Sequence, residues 1–126
     1  MGNSVDVVIP IYKAGNDFVK MLEKLYKQSK RPEHIYLLQT IESKDEKLFD
    51  KEKCSHGLVN IISVHPIKKS DFDHGATRAY GALMAKSEYV LFMTQDAVCY
   101  DDYVIENLLN AFDDRKVGIL SNAATN

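Results

Sequence analysis

The stretch Val5–Ile11, with the sequence VDVVIPI, is a short apolar run rich in β-branched residues. Because its apolar residues do not alternate strictly with polar ones, it predicts a strand that is covered on both faces. Gly15-Asn16-Asp17 ends this segment, and Asn16 or Asp17 is expected to cap the helix that follows. The apolar residues of that helix recur at three- and four-residue spacing, as on one stripe facing a core: Phe18, Met21, Leu22, Leu25 and Tyr26.

Strand-like and helix-like segments continue to alternate along the rest of the chain. Further strands are predicted at His34–Gln39, Leu58–Val64, Tyr89–Met93 and Val117–Leu120. Helices are predicted at about Asp73–Lys86 and Asp101–Phe112, and Ser43–Lys53 is a polar helix or loop. This alternation predicts an α/β fold with a mostly parallel, Rossmann-like sheet flanked by helices. Since the loops are short and no Gly/Ser-rich linker interrupts them, residues 1–126 are expected to form a single domain.

Composition narrows the classes of function. The chain has 126 residues, 45% of them hydrophobic, and its 16 basic and 18 acidic side chains give a formal net charge of −2. This near-neutral balance excludes a strongly basic nucleic-acid binder, and no apolar run approaches the roughly 20 residues of a transmembrane segment. Two cysteines, Cys54 and Cys99, are too few for a disulfide framework, and no basic-then-apolar leader is present, so a cytoplasmic location is expected.

Ligands of parallel sheets bind at the carboxyl ends of the strands, which makes the residues after each strand the candidate site. Thr94-Gln95-Asp96-Ala97 follows the fourth predicted strand directly. Mg²⁺ and Mn²⁺ prefer oxygen ligands, and nucleotide sites often supply only one or two carboxylates, so Asp96 suits a metal that bridges the protein to a diphosphate. The alternative is a loop aspartate that accepts hydrogen bonds from nearby backbone amides. Asp101 and Asp102 lie where the next helix begins, and capping is their expected role.

A second candidate is the segment Asp71–Arg78, DFDHGATR. If a helix begins near His74, the free backbone amides around Gly75 attract an anion. His74 and Arg78 are four residues apart and share one face of that helix, so Arg78 could direct a planar cation at a phosphate or a carboxylate. The alternative takes Asp73 as a cap, His74 as a surface histidine and Arg78 as the partner of a neighbouring acid.

Residues at the ends of the first two strands complete the candidate set. Pro10 removes a backbone donor where the strand ladder stops, and Tyr12 then projects near the mouth of the sheet. The Tyr12 ring could stack on a nucleobase, although packing into the core is the commoner role of such a ring. Gln39 ends the second strand and could hydrogen-bond the edge of a base. Two common nucleotide folds are excluded, because neither a G-x-x-x-x-G-K-[ST] loop nor a G-x-G-x-x-G turn is present.

Taken in order, these segments resemble the family 2 glycosyltransferases, which are inverting enzymes of the GT-A fold, and in particular the rhamnosyltransferase-like branch. Residues 5–32 resemble the opening strand and helix of that family, and residues 71–112 resemble its phosphate-side helix, metal strand and following helix. The resemblance implies the nucleotide-binding half of a GT-A fold, with a divalent metal, Mg²⁺ or Mn²⁺, as cofactor.

The resemblance also assigns roles to single positions. It implies that Pro10 and Tyr12 line the nucleotide base. Gln39 stands where many relatives have an aspartate that contacts the base. Asp96 matches the last aspartate of the D-x-D metal motif, whose first position is Thr94 here. The variant Thr94-Gln95-Asp96-Ala97 resembles that of the rhamnosyltransferase branch, so a single carboxylate is expected to suffice.

On the phosphate side, Arg78 matches the arginine of the family's A/T-R-N-x-G segment. Ala79 replaces the asparagine of that segment, and Gly81 is kept. The nucleotide-sugar site implied by the resemblance consists of Pro10, Tyr12, Gln39, His74, Arg78, Gln95 and Asp96, with Asp96 as the metal ligand.

The implied activity is transfer of a sugar, with rhamnose a candidate, from a dTDP- or UDP-sugar to a glycan acceptor. Family members continue past the fifth strand into an acceptor-binding half, so we expect a truncated protein whose general base lies beyond Asn126 and which alone transfers little sugar. The surface left exposed would favour dimers, and the parent protein is expected to associate peripherally with the inner membrane face. A non-catalytic nucleotide-binding module and a protein-interaction module stay open as alternatives.

Overall fold

The computed structural model describes residues 4–69, 74–95, 97, 101–111 and 119–121. The strands are β1 (Val5–Ile11), β2 (His34–Ile41), β3 (Ile62–Lys68), β4 (Tyr89–Phe92) and β5 (Ile119–Ser121). The helices are α1 (Asn16–Tyr26), α2 (His56–Val59), α3 (His74–Met84) and α4 (Val104–Ala111), and a 3-10 turn lies at Lys51–Lys53. The predicted alternation of strands and helices is confirmed.

The five strands form one sheet in the order β3-β2-β1-β4-β5, and every neighbouring pair is parallel. This arrangement confirms the predicted Rossmann-like sheet. The chain builds the sheet outward from β1 to β3 and then returns to the other side of β1 to add β4. The strand order therefore reverses at β1, and in such sheets the ligand crevice forms at the carboxyl ends of the strands beside this switch point.

The third strand lies later in the chain than predicted. Leu58 and Val59, which the prediction placed in the strand, belong to the short helix α2, and Asn60 ends that helix. The prediction was wrong because a short apolar run has the same pattern in a buried turn of helix as in a strand. β3 instead continues through Pro66, and an edge strand tolerates proline since one of its sides has no neighbour to bond.

The predicted caps of α1 are also wrong. Gly15 occupies the position before the helix, and no side chain caps it. Asn16 is already the first helical residue, while Asp17 lies in the first turn, where a carboxylate interacts favourably with the helix dipole. Asp101 accepts a hydrogen bond from Tyr103 N at 2.8 Å, and it thereby orders the turn before α4.

Each face of the sheet has its own apolar core. The larger core joins alternate side chains of β1 to α1 and α4. The smaller core consists of Val8, Tyr36, Leu38, Val90 and Phe92, with the end of α3 packed against it. A Cβ added at Gly81 of α3 would lie 2.5 Å from Val8 Cγ1. Gly81 therefore permits the close approach of helix and sheet.

Asp6 is fully buried in the central strand although it is an acid. Its Oδ2 accepts hydrogen bonds from Lys86 N at 2.7 Å and Ser87 N at 3.1 Å, and its Oδ1 accepts one from Ser87 Oγ at 2.6 Å. His34 Nδ1 lies 3.2 Å from Oδ1. The carboxylate thus joins the amino end of β1 to the connection between α3 and β4, at the edge of the sheet opposite the candidate site.

Candidate functional site

The backbone at the carboxyl end of β1 explains the position of Pro10. Pairing between β1 and β4 ends at Val8 and Phe92, and Met93 N donates to Val8 O at 3.0 Å. Residues two apart in a strand face the same neighbour, so Pro10 faces the side on which this ladder has just ended. The missing N–H of Pro10 therefore removes no ladder hydrogen bond, as the sequence predicts.

Beyond the end of this ladder, Gln95 connects the segment after β4 to the segment after β1. Its Oε1 accepts a hydrogen bond from Tyr12 N at 2.7 Å, so a side chain takes the place of the next ladder partner. The backbone of Tyr12 is thereby held by the segment that carries Asp96. Gln95 acts on the site through Tyr12, and Asp96 itself lies outside the described residues.

The Tyr12 side chain projects from the carboxyl edge, as predicted, and does not pack into the core. The residue is 39% exposed, and its hydroxyl donates to Glu42 Oε2 at 2.5 Å. Since Glu42 directly follows β2, this hydrogen bond ties the ends of β1 and β2 together. One face of an aromatic ring is thus presented at the switch point of the sheet.

Two ammonium groups converge on the same carboxylate and the same ring. Lys13 Nζ lies 3.4 Å from Glu42 Oε1, and Lys69 Nζ lies 3.3 Å from Glu42 Oε2. The two nitrogens lie 5.3 Å and 5.4 Å from the centre of the Tyr12 ring. Tyr12, Lys13, Glu42 and Lys69 are called the tyrosine–lysine cluster. Lys13 has a φ of 51°, a left-handed conformation that costs a non-glycine residue roughly 1 kcal/mol.

The charges of the tyrosine–lysine cluster reinforce one another. The hydrogen bond from Tyr12, followed by the interactions with Lys69 and Lys13, lowers the pKa of Glu42 to about 2. The hydrogen bond to Glu42 in turn raises the pKa of Lys13 and that of Lys69. At neutral pH the cluster therefore holds two ammonium groups and one carboxylate. This excess of positive charge suits an anionic ligand.

A cleft of about 350 Å³ opens at this edge and shares Lys13 with the cluster. Its volume lies within the range of small-molecule sites. Its walls come from the ends of β1 and β2, the start of α1 and the loop after β2: Ile11, Lys13, Ala14, Gly15, Val19, Gln39, Glu46, Lys47, Leu48, Phe49, Asp50 and Lys53.

Gln39 lies in the wall of this cleft, and its amide binds the loop that forms the opposite wall. Its Nε2 donates to Lys47 O at 3.0 Å, and its Oε1 accepts from Phe49 N at 2.6 Å. An amide side chain has two N–H donors and two lone pairs on its oxygen, so each atom keeps one further bonding position. A contact with the edge of a base stays a prediction, and shaping of the cleft is the role that the contacts establish.

The phosphate-side candidates are only partly described. The described backbone of α3 runs from His74 to Met84, within the helix predicted at about Asp73–Lys86. The side chains of His74 and Arg78 lie outside the described part of the chain, as does the whole of Asp96, so their roles stay predictions. The described residues therefore bring together four of the seven predicted site residues, Pro10, Tyr12, Gln39 and Gln95, at one edge of the sheet.

Three residues of the site were not singled out from the sequence: Lys13, Glu42 and Lys69. Each follows a strand or a strand-end residue, so the rule that ligands bind at strand ends covers the segments in which they lie. The sequence contains many other lysines and glutamates in loops. Only the register of the parallel strands shows that these three side chains meet at one ring.

No three His, Cys, Asp or Glu side chains of the described part of the chain come together as metal ligands. The metal prediction rests on Asp96 and stays a prediction. None of the described helices is long and apolar enough to span a bilayer.

Comparisons with known proteins agree with this geometry. The family model for Glycosyl transferase family 2 matches residues 6–124. The O-antigen chain rhamnosyltransferase RfbN of Salmonella typhimurium is 32% identical over 111 residues, which cover 87% of this chain and 33% of that protein. The O-antigen chain rhamnosyltransferase WbaN of Salmonella anatum is 28% identical over 116 residues, which cover 90% of this chain and 35% of that protein. The chain therefore spans about one third of the length of these curated relatives.

A solved structure extends the comparison to the fold. The crystal structure of S. aureus TarS has a TM-score of 0.60 at 18% sequence identity, over 86% of this chain and 19% of that one. At this identity the likeness concerns the fold alone. Together with the family match and the parallel sheet, it confirms the prediction of a GT-A type of fold.

Proposed function

The chain belongs to glycosyl transferase family 2, and from this membership we propose that its carboxyl edge binds a nucleotide diphosphate sugar whose sugar the protein transfers to a glycan acceptor. The observation that carries the proposal is the exposed Tyr12 ring at the switch point. Gln95 holds its backbone, Glu42 accepts from its hydroxyl, and two ammonium groups lie near the ring. An aromatic face offers a stacking surface to a base, and the excess positive charge suits the diphosphate.

In this proposal, three described residues at the ends of β1 and β2 form the site for the base of the donor. Pro10 keeps the end of β1 rigid, and Tyr12 stacks on the base. Gln39 uses its free N–H and its free lone pair for the edge of the base, while its other contacts hold the loop. Since two relatives are named as rhamnosyltransferases, rhamnose carried by dTDP is the donor sugar that we propose, with a UDP-sugar as the second choice.

Asp96 completes the donor site in this proposal by holding a Mg²⁺ or Mn²⁺ ion. The preceding residue, Gln95, accepts a hydrogen bond from Tyr12 N, so the neighbour of Asp96 in the sequence is held at the carboxyl end of β1. When bound, the metal would supply charge neutralisation for the departing diphosphate. Arg78 and the backbone amides near Gly75 would assist in binding the diphosphate.

Calorimetry with dTDP and UDP, in the presence and absence of Mn²⁺, tests the role of Asp96. We expect Mn²⁺ to strengthen binding of dTDP to the wild-type protein and to have no such effect on Asp96→Ala. Equal binding heats for the two proteins in the presence of Mn²⁺ would contradict metal-bridged binding.

Replacement of the ring tests the base site separately. Since stacking of a base on an aromatic side chain contributes about 1–3 kcal/mol, Tyr12→Ala should weaken dTDP binding roughly tenfold or more. Tyr80 is an exposed tyrosine of α3, 45% accessible against 39% for Tyr12, so Tyr80→Ala is the matched control and should leave dTDP affinity unchanged. Equal effects of the two substitutions would contradict the proposed base site.

A further inference from the structure

The tyrosine–lysine cluster already contains an anion of its own. Glu42 receives the hydroxyl of Tyr12 and the ammonium groups of Lys13 and Lys69, so one carboxylate takes all three of the donors that surround it. Both ammonium groups also lie within about 5.5 Å of the centre of the ring, a distance at which a cation is attracted to an aromatic face. Both lysines are therefore already paired with Glu42 before any ligand arrives.

This arrangement competes with the donor for the same groups. A base that stacks on Tyr12 needs a face of the ring, and the face is within reach of the lysines. A diphosphate seeks ammonium groups, and these are paired with Glu42. A diphosphate that binds these ammonium groups competes with the Glu42 carboxylate for their N–H donors, and it can exchange the carboxylate for a phosphate oxygen.

The exchange is feasible because the cluster lies at the surface. The side chains of Lys13, Lys69 and Glu42 are 59%, 61% and 41% exposed, and ion pairs at such exposure are weak. A diphosphate carries more negative charge than a single carboxylate and can bind two ammonium groups at once. It is therefore the stronger partner for the two lysines.

We propose that Lys13 and Lys69 form a diphosphate-binding pair and that Glu42 is its built-in counter-anion, which the donor displaces. The inference rests on the proposed function, because it assigns the anionic part of the same donor. Glu42 thereby lowers the affinity for the donor and makes the site selective for ligands that carry a strong anion. A neutral nucleoside lacks the charge needed to displace it.

A second cleft at the same edge supports the assignment. It has a volume of about 220 Å³ and contains Glu42 and Lys69 together with Ile41, Ser43, Lys44 and Lys68. Three lysines and a single glutamate line it, so its charge also favours an anion. Since the pKa of Glu42 is lowered to about 2, the carboxylate stays charged at neutral pH, and only a competing anion removes it from the lysines.

A substitution that removes the negative charge of Glu42 and keeps the shape of its side chain tests the proposed counter-anion. Glu42→Gln keeps an oxygen for the Tyr12 hydroxyl and loses the negative charge. Glu33→Gln is the matched control, because Glu33 is an exposed acid next to the amino end of β2, at the opposite edge of the sheet. Binding of inorganic pyrophosphate, dTDP and thymidine to the wild-type protein and both variants is measured by calorimetry at about 20 mM salt, where the Debye length is long.

Glu42→Gln should bind pyrophosphate and dTDP about threefold to tenfold more tightly than the wild type, with less than a twofold change for thymidine. Glu33→Gln should change none of the three by more than twofold. Lys69→Ala should weaken pyrophosphate binding, and it should abolish the gain when it is combined with Glu42→Gln. In a carboxyl carbon NMR titration of the wild type, Glu42 should titrate near its pKa of about 2.

The outcomes separate this inference from the function on which it rests. If dTDP binds the wild type but Glu42→Gln binds dTDP and pyrophosphate no more tightly than Glu33→Gln does, the counter-anion is disproved while the donor site stands. If pyrophosphate binding is strengthened by Glu42→Gln but no protein binds dTDP, the anion pair stands and the proposed function fails. Absence of binding of both ligands to every protein would overturn both.

Discussion

Two buried glutamines, Gln28 and Gln39, make the same kind of hydrogen bonds at different places in the fold. Gln28 is therefore a control for the effect of Gln39 on stability and on ligand binding. Gln28 and Gln39 are 3% and 5% exposed, and each side chain bridges two backbone groups. Gln28 donates to Asp101 O at 2.6 Å and accepts from Ile105 N at 3.1 Å. Gln39 makes the corresponding pair of hydrogen bonds to the loop at the cleft.

We expect Gln39→Leu and Gln28→Leu to lower the free energy of unfolding by similar amounts, about 1–3 kcal/mol, because each removes two hydrogen bonds made by a buried amide side chain. Urea unfolding measures this loss. Only Gln39→Leu should also weaken dTDP binding, since it releases a wall of the cleft. If Gln28→Leu weakened dTDP binding to the folded protein as strongly as Gln39→Leu does, the loss of dTDP affinity in Gln39→Leu would be a general consequence of lower stability.

The site residues also show what single positions reveal before the fold is known. Pro10 lies near the end of a strand that is recognisable from its composition, and Tyr12 directly follows that strand, so their place at the carboxyl edge could be predicted. The two hydrogen bonds of Gln39 could not, because nothing in the sequence indicates which backbone groups a loop will bring to it. Glu42 and Lys69 are likewise brought together by strand register, which a local pattern does not contain.

At the scale of elements, the distance between α3 and the sheet depends on one glycine. A Cβ at Gly81 would lie 2.5 Å from Cγ1 and 3.1 Å from Cγ2 of Val8, which is fully buried and has a stiff, β-branched side chain. Replacement of glycine by alanine within a helix normally stabilises by about 1 kcal/mol. Forcing an extra methyl into a packed core costs about 1–3 kcal/mol, so Gly81→Ala should destabilise the protein in urea.

Two further variants control this prediction. Gly15→Ala adds a methyl where nothing lies within 4 Å, so it should cause no overpacking. Its cost should be limited to the preference of the N-cap position for glycine over alanine, roughly 0.5–1 kcal/mol. Val8→Ala makes room for the added methyl, so the double variant Val8→Ala/Gly81→Ala should be more stable than the sum of the single effects predicts. Strict additivity of the two substitutions would show that Gly81 and Val8 do not limit the approach of α3.

The strands and helices with the longest hydrophobic patterns in the sequence were predicted most accurately. The seven residues of β1 carry an apolar run interrupted only by Asp6, and its predicted bounds agree with the structure. The stripe of α1 is equally clear, and only its caps were wrong. The third strand was misplaced because Leu58 and Val59 extend an apolar run across a turn of helix, and the choice between the two is made by packing against the core rather than by local sequence.

At the scale of the whole molecule, the parallel sheet and its switch point could be predicted from the alternation of strands and helices. The role of the Asp6 carboxylate, which joins the two halves of the sheet, could not be predicted in this way. An aspartate within an apolar strand is the one sequence signal for it. Asp6 lies on the central strand and binds the connection that leads into β4, on the far side of the α3 crossover. It contacts His34 of β2 as well. One carboxylate thus joins segments that are distant in the chain.

Asp6→Asn should therefore destabilise the whole domain and not only its surroundings. The amide keeps the shape of the side chain but replaces one acceptor oxygen by a donor, which then faces donors of Lys86, Ser87 or His34. Since a hydrogen bond to a charged group contributes about 1.5–3 kcal/mol, we expect a loss of about 3 kcal/mol or more in the free energy of unfolding. Hydrogen exchange measures its extent: amides of β1, β2 and β4 should all exchange faster, because their slowest exchange requires global unfolding.

Ser87→Ala is the graded control for this prediction. It removes the hydroxyl that donates to Asp6 Oδ1 at 2.6 Å and leaves both backbone donors on Oδ2 in place, so about 1–2 kcal/mol should be lost. If Asp6→Asn cost no more than Ser87→Ala, the backbone hydrogen bonds to Asp6 would contribute little, and the two halves of the sheet would be held together by the apolar cores alone. A loss confined to the amides of Lys86 and Ser87 would show instead that Asp6 orders only its local connection.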